Sequence, residues 1–87
     1  MEYRLKLSKQ AQKDAKKLEQ VGLAEKTKKL LKIIQNNPYQ NPPAFEKLNK
    51  DLKGKYSRRI NIQHRIVYEI SEEEKIIKIY RMWTHYE

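Results

Sequence analysis

Cysteine is absent from this chain. That excludes a disulfide staple and a thiolate-held metal, and it fits a reducing, cytoplasmic setting. Histidine is scarce: only His64 and His85 occur. Two are too few for a His-rich metal site, and no metal-ligand spacing is present. Long apolar runs are missing as well. The opening MEYRLKLSKQ has no apolar stretch behind its charges, so it does not read as a signal peptide. No segment approaches the roughly 18 apolar residues that a membrane span needs, so no membrane partner is expected. Acidic residues are outnumbered, 11 Asp and Glu against 20 Lys and Arg, which leaves a net charge of +9. Solubility alone asks for a magnitude of roughly 2–8 in a small domain. The surplus points to a polyanionic partner: RNA, DNA or an acidic protein. The 87 residues read as one domain, residues 1–87. Such a chain buries only about 60–65% of its unfolded surface, so its core is small.

Tyr3, Leu5 and Leu7 alternate with Arg4 and Lys6, which predicts a short strand with one apolar face. Ser8 offers an N-cap. Ala11, Ala15 and Leu18 then mark a helix stripe, and Gly22 stops it. A second helix is predicted from about Leu23 to Asn36. Leu23, Thr27, Leu30, Leu31 and Ile34 form its inner side, and the Pro38 that follows ends it. Residues 38–54 hold all three prolines and read as loop. Loops this long are usually functional or disordered. From Tyr56 the period becomes two. Tyr56, Arg58 and Ile60 share one face. Ile66, Tyr68 and Ile70 share the next, with Arg65, Val67 and Glu69 opposite. After the polar turn at residues 71–74, Ile77, Ile79 and Arg81 are expected on one side of the last strand, and Ile76, Lys78 and Tyr80 on the other. The helices come in one block and most strands in another. This predicts an α+β fold: an N-terminal strand, a two-helix hairpin and an antiparallel strand meander, with the helices on one sheet face. The other face is then open, and Arg65 looks outward onto it.

The segment FEKLNKDLKGKYSRRINIQHRIVYEI, residues 45–70, and the ending RMWTHYE carry a specific pattern. Glu-x-Leu precedes a Leu-x-Gly turn. Ser-Arg-Arg-Ile follows, then His-Arg-hydrophobic-Val-Tyr and a terminal His-Tyr. This combination resembles the YoeB branch of the RelE/ParE superfamily of bacterial toxins. The resemblance implies a RelE-like, microbial-ribonuclease-type fold. It also implies an endoribonuclease that cuts mRNA on the translating ribosome without metal or cofactor.

The chemistry it implies follows from RNA itself. The 2′-hydroxyl must lose a proton, the phosphorus must gain charge, and the 5′-oxygen must leave with a proton. That asks for a base, a cation and an acid. By the resemblance these are Glu46, Arg65 and His85, with Tyr86 stacking on a base or orienting the phosphate. Arginine suits phosphate because its planar fork donates in pairs and stays charged. Histidine suits an acid near neutrality. Arg59, Lys47 and Lys50 are the expected RNA contacts. Arg58 and Arg59 face opposite sides by alternation, so only one of them shares that face. His64 is expected to shape the hairpin, and Trp83, the only Trp, to pack and hold the tail. Two positions depart from the pattern: the family usually carries a lysine three residues after the base, where this chain has Asn49, and Glu87 follows the His-Tyr pair.

The lysines of the two helices suit rRNA phosphates. The remaining implied partners are a cognate acidic, partly disordered antitoxin of the YefM/Phd type, operator DNA only through the antitoxin complex, and a second copy of the chain in a homodimer. The rival reading is a non-catalytic RNA- or ribosome-binding module of the same fold. A DNA-binding accessory role is weaker, because no helix-turn-helix or ribbon motif is present.

Overall fold

Period-two and period-3.6 patterning sort this chain into two layers. The computed structural model describes residues 3–42, 44–48 and 53–83. Strand β1 spans Arg4–Leu7. Helix α1, Lys9–Gln20, starts at Ser8, whose Oγ accepts the Ala11 N–H at 3.0 Å and donates to the Tyr80 carbonyl at 2.8 Å. One hydroxyl therefore caps the helix and ties it to the sheet. Gly22 takes the left-handed φ of 79° that ends α1. Helix α2 is Ala24–Asn36. The remaining strands are β2 Glu46–Lys47, β3 Lys55–Arg59, β4 Arg65–Ser71 and β5 Ile76–Arg81.

Among the described residues the sheet order is β1-β5-β4-β3-β2. The N-terminal strand lies parallel to β5, and the other pairings are antiparallel. The helices cover one face. Ala11, Leu18, Leu30 and Ile34 meet Ile60, Ile66, Tyr68, Ile77, Ile79 and Met82 in a buried cluster, with Leu5, Leu7 and Trp83 packed at its edge. This is the predicted α+β layout. No helix among the described residues is long and apolar enough to cross a membrane.

Two expectations are corrected. Residues 38–54 are not all loop: Glu46 and Lys47 form β2, with Glu46 opposite Ser57 and Lys47 opposite Tyr56. The apolar signal of a two-residue edge strand is too short to read, because its pairing is decided by the neighbouring strand. Arg81 does not lie with Ile77 and Ile79. Tyr68 pairs Ile79 while Val67 pairs Arg81, so Tyr80 is an inserted residue in the ladder. Such a bulge re-aims the side chains that follow. Arg81 is exposed, and Met82 fills the core in its place.

Two polar anchors hold this arrangement. Asp14 is buried. Its Oδ2 accepts the Met82 N–H at 3.0 Å, and its Oδ1 accepts from the Gln10 side chain at 2.9 Å. It joins α1 to the chain just past the bulge. On the opposite edge, Glu72 accepts from the hydroxyls of Tyr39 at 2.7 Å and Tyr3 at 3.0 Å, and from Lys75 Nζ at 3.1 Å. The Tyr39 hydrogen bond first, then those of Lys75 and Tyr3, hold the Glu72 carboxyl below its ordinary value of 4.5. The contribution of Glu72 to stability is thus present above that value and is lost as pH falls through the lower folded-state value.

Asp14→Ala leaves the Met82 N–H buried without its partner. We expect a loss of about 1–3 kcal/mol in urea denaturation. Glu72→Gln should flatten the fall of stability below pH 4.5, measured by denaturation across a pH series. An acid limb as steep as that of the parent chain would remove Glu72 from this role.

Candidate active site

Away from the helices, the sheet presents basic side chains. Direct pairing puts Glu46, Ser57, Val67 and Arg81 in one row across β2, β3, β4 and β5. Arg59 and Arg65 form the adjacent pair, and Lys55, Glu69 and Lys78 lie on the same face further along. Residues directly opposite in an antiparallel pair have Cβ atoms about 4.5–5.5 Å apart. The row is therefore a short trough. Ser57 and Val67 are its floor, each 2% exposed. Glu46 and Arg81 stand at its ends.

Glu46 and Arg65 meet across this floor. Arg65 Nη1 donates to Glu46 Oε1 at 3.1 Å, with side-chain exposures of 25% and 64%. They lie 19 positions apart in sequence, and only the β2–β3–β4 pairing brings them together. A carboxylate and a guanidinium so placed can accept a proton and hold an anion, respectively. The second acid of this face is also engaged. Glu69 accepts the Tyr80 hydroxyl at 2.8 Å, and Lys55 Nζ sits 4.9 Å from the Tyr80 ring centre. That hydrogen bond, then burial, raises the Tyr80 phenol above its ordinary 10.0.

Arg58 and Arg59 part as alternation requires. Arg59 is exposed. Arg58 is buried: its Nε donates to the Tyr68 oxygen at 3.0 Å, its Nη2 to the Pro38 carbonyl at 2.9 Å, and its guanidinium lies 4.9 Å from the Phe45 ring centre. Tyr68 in turn donates to Pro38 at 3.1 Å. This network locks the exit of α2 to the sheet and leaves Arg59 to face solvent. Burial raises the Tyr68 phenol above 10.0, against the lowering effect of Arg58.

The β3–β4 hairpin is shaped by Asn61, whose Oδ1 accepts the N–H groups of Gln63 at 2.8 Å and His64 at 2.7 Å. The His64 ring is buried and stacks on Trp83 with centroids 4.2 Å apart and planes 22° apart. Lys17 Nζ lies 5.6 Å from the Trp83 ring centre. The Arg65 N–H donates to the Trp83 carbonyl at 3.1 Å. The segment that leads to the C-terminus is thus pinned beside Arg65. His64 has the shaping role and Trp83 the packing role expected of them.

Glu46, Arg65, Arg59 and Lys47 lie on β2, β3 and β4, and Glu46 and Arg65 are in contact. Lys47 is exposed beside Glu46 but projects to the other face by alternation. Lys50, Asn49, His85 and Tyr86 lie outside the described residues. Sequence reasoning missed Arg81 and Ser57. Strict alternation past Ile79 would bury Arg81 and expose Met82, and that inversion of polarity is the signal of the bulge. Ser57 carries no comparable sign.

Comparison with known proteins bears on the family and the fold. The family model described as the YoeB-like toxin of bacterial type II toxin–antitoxin systems matches residues 8–86. Toxin YoeB of Synechocystis sp. is 36% identical over 66 residues, 76% of this chain and 70% of that protein. The YoeB/ParE toxin from Agrobacterium tumefaciens superposes with a TM-score of 0.86 at 25% identity, covering 95% of this chain and 99% of that one. The toxin in the heterotetrameric YoeB–YefM toxin–antitoxin complex from Staphylococcus aureus superposes with a TM-score of 0.81 at 36% identity, covering 99% and 100%.

The Glu46 side chain is largely exposed, so its ion pair contributes little to folding; exposed ion pairs are typically worth about 0.2–1 kcal/mol. Glu46→Gln should therefore change unfolding free energy by no more than about 1 kcal/mol. A larger loss in thermal or urea unfolding would reveal a structural role.

Proposed function

Because the chain belongs to the family of YoeB-like toxins of bacterial type II toxin–antitoxin systems, we propose that it is an endoribonuclease that cuts mRNA on the translating ribosome. Glu46 takes the proton from the 2′-hydroxyl. Arg65 binds the scissile phosphate and stabilises the charge that develops on it. His85 protonates the departing 5′-oxygen, and Tyr86 stacks on a base or orients the phosphate. The 2′-oxygen forms the new bond to phosphorus as the P–O5′ bond breaks. The products are a 2′,3′-cyclic phosphate and a 5′-hydroxyl; water adding to the cyclic phosphorus with cleavage of the P–O2′ bond would then leave a 3′-phosphate. Arg59 and Lys50 bind flanking RNA; Lys47, which projects to the other face, would reach RNA only around the exposed edge of β2.

The observation that carries this reading is the 3.1 Å Glu46–Arg65 contact on a cationic face, with Trp83 held beside Arg65. In the free protein Arg65 neutralises Glu46. A phosphate arriving at Arg65 competes for the guanidinium and releases the carboxylate to act as a base.

Lys13, Lys16, Lys17, Lys26, Lys28, Lys29 and Lys32 are all exposed. They would bind rRNA phosphates with a steep salt dependence. The ribosome then supplies the alignment of mRNA that so small a protein lacks. The natural inhibitor is a cognate acidic, partly disordered antitoxin of the YefM kind, folding on the toxin as it binds, as a YefM partners the similar YoeB from Staphylococcus aureus. Operator DNA would be met only through that complex. The setting is the bacterial cytoplasm.

Primer extension on mRNA from cells expressing this chain tests the reading. We expect cuts confined to translated regions, reduced about 10²–10⁴-fold by Glu46→Ala, Arg65→Ala or His85→Ala. His85→Gln should keep ribosome affinity while losing cleavage. Parent and His85→Gln proteins that bind ribosomes equally and cut nothing would identify a non-catalytic ribosome-binding module instead.

A further inference from the structure

Ser57 stands out as a buried polar group without a bond. Its Oγ is shielded from solvent and has no hydrogen-bond partner among the described residues. An orphaned buried hydroxyl is costly, and native proteins keep few of them. This one lies on the floor of the trough. Ser57 pairs directly with Glu46 on one side and with Val67 on the other, so its side chain shares their face. The Glu46–Arg65 bridge reaches from β2 to β4, on either side of β3 and Ser57. In this state Glu46 is committed to Arg65, and the hydroxyl is left unused.

We propose that Ser57 is a positioning residue for Glu46, its Oγ donating to the carboxylate once a substrate phosphate has drawn Arg65 away. This rests on the reading of Glu46 as the base. The reasoning is one of exchange. A phosphate on Arg65 removes the only side-chain hydrogen bond that Glu46 makes among the described residues. An exposed carboxylate so freed would sample many rotamers. A hydroxyl directly opposite, in a rigid central strand, is a donor already in place. Taking it up satisfies Ser57, orients one carboxylate oxygen and leaves the other for the 2′-hydroxyl proton. The orphan of the free protein thus becomes a bonded group in the substrate complex. Serine fits here because it carries a donor in the smallest volume, on a floor that is fully packed.

The experiment is single-turnover mRNA cleavage on programmed ribosomes across a pH series. It compares the parent chain, Ser57→Ala, Glu46→Gln and the double variant, with thermal unfolding of each. Ser57→Ala should unfold at the same or a higher temperature, because it deletes a hydroxyl that is unbonded in the free protein. Its cleavage rate should fall about 10–100-fold, as expected for a hydrogen bond to a charged group, with the half-saturating concentration unchanged. A donor on a carboxylate favours the ionised form, so its loss should move the acid limb of the rate profile to higher pH. Adding Ser57→Ala to Glu46→Gln should cost nothing further, because the effect passes through Glu46.

A Ser57→Ala rate and acid limb equal to those of the parent would overturn the proposal while leaving the endonuclease reading intact. A fall in unfolding temperature that accompanies the loss of rate would assign Ser57 to structure and overturn it too. Parent-like cleavage by Glu46→Gln would instead remove Glu46 as the base, and the proposal with it.

Discussion

One sheet with two unlike faces governs this protein. A strand side chain points to one face or the other with period two, and two short helices can cover only one of those faces. Ile66, Tyr68, Ile77 and Ile79 therefore commit to the helical side. Arg59, Arg65 and the carboxylate of Glu46 are left on the other. In a chain with net charge +9, the uncovered face gathers cations at the same moment that the core forms. The binding surface is a by-product of burial.

Two devices refine that division. The bulge at Tyr80 lets Arg81 join the basic face and lets Met82 enter the core, a swap that regular alternation forbids. Asp14 then accepts the Met82 N–H, so the end of the sheet is fastened to α1. At the other corner, the Arg58–Tyr68–Pro38 network fastens the exit of α2. Both anchors are polar groups buried with partners, and such groups fix geometry because leaving them unpaired is expensive. Between them the sheet holds β2 in place, and with it Glu46.

The site is assembled from weak elements on strong ones. Glu46 sits on a two-residue edge strand, while Arg65 begins a strand paired on both sides. Trp83 is held by stacking on His64 and by the Arg65 backbone. An exposed ion pair contributes little to folding, so Glu46 and Arg65 are free to be rearranged by an arriving phosphate. A packed floor beneath a pair that costs little to break is the arrangement expected of groups that must change partners during a reaction.

The element order, the helix faces, the outward aim of Arg65 and the split between Arg58 and Arg59 were legible in sequence, because each follows from local periodicity. The toxin family was legible in short motifs around Glu46, Arg65 and the His-Tyr end. Four features were decided only in three dimensions: the edge strand at Glu46, the burial of Arg58, the turning of Arg81 and the unbonded Ser57. Each depends on which strand lies alongside and in what register. Pairing of that kind joins residues far apart along the chain, and local polarity hints at it only at Arg81 and Met82, where strict alternation would bury the charge.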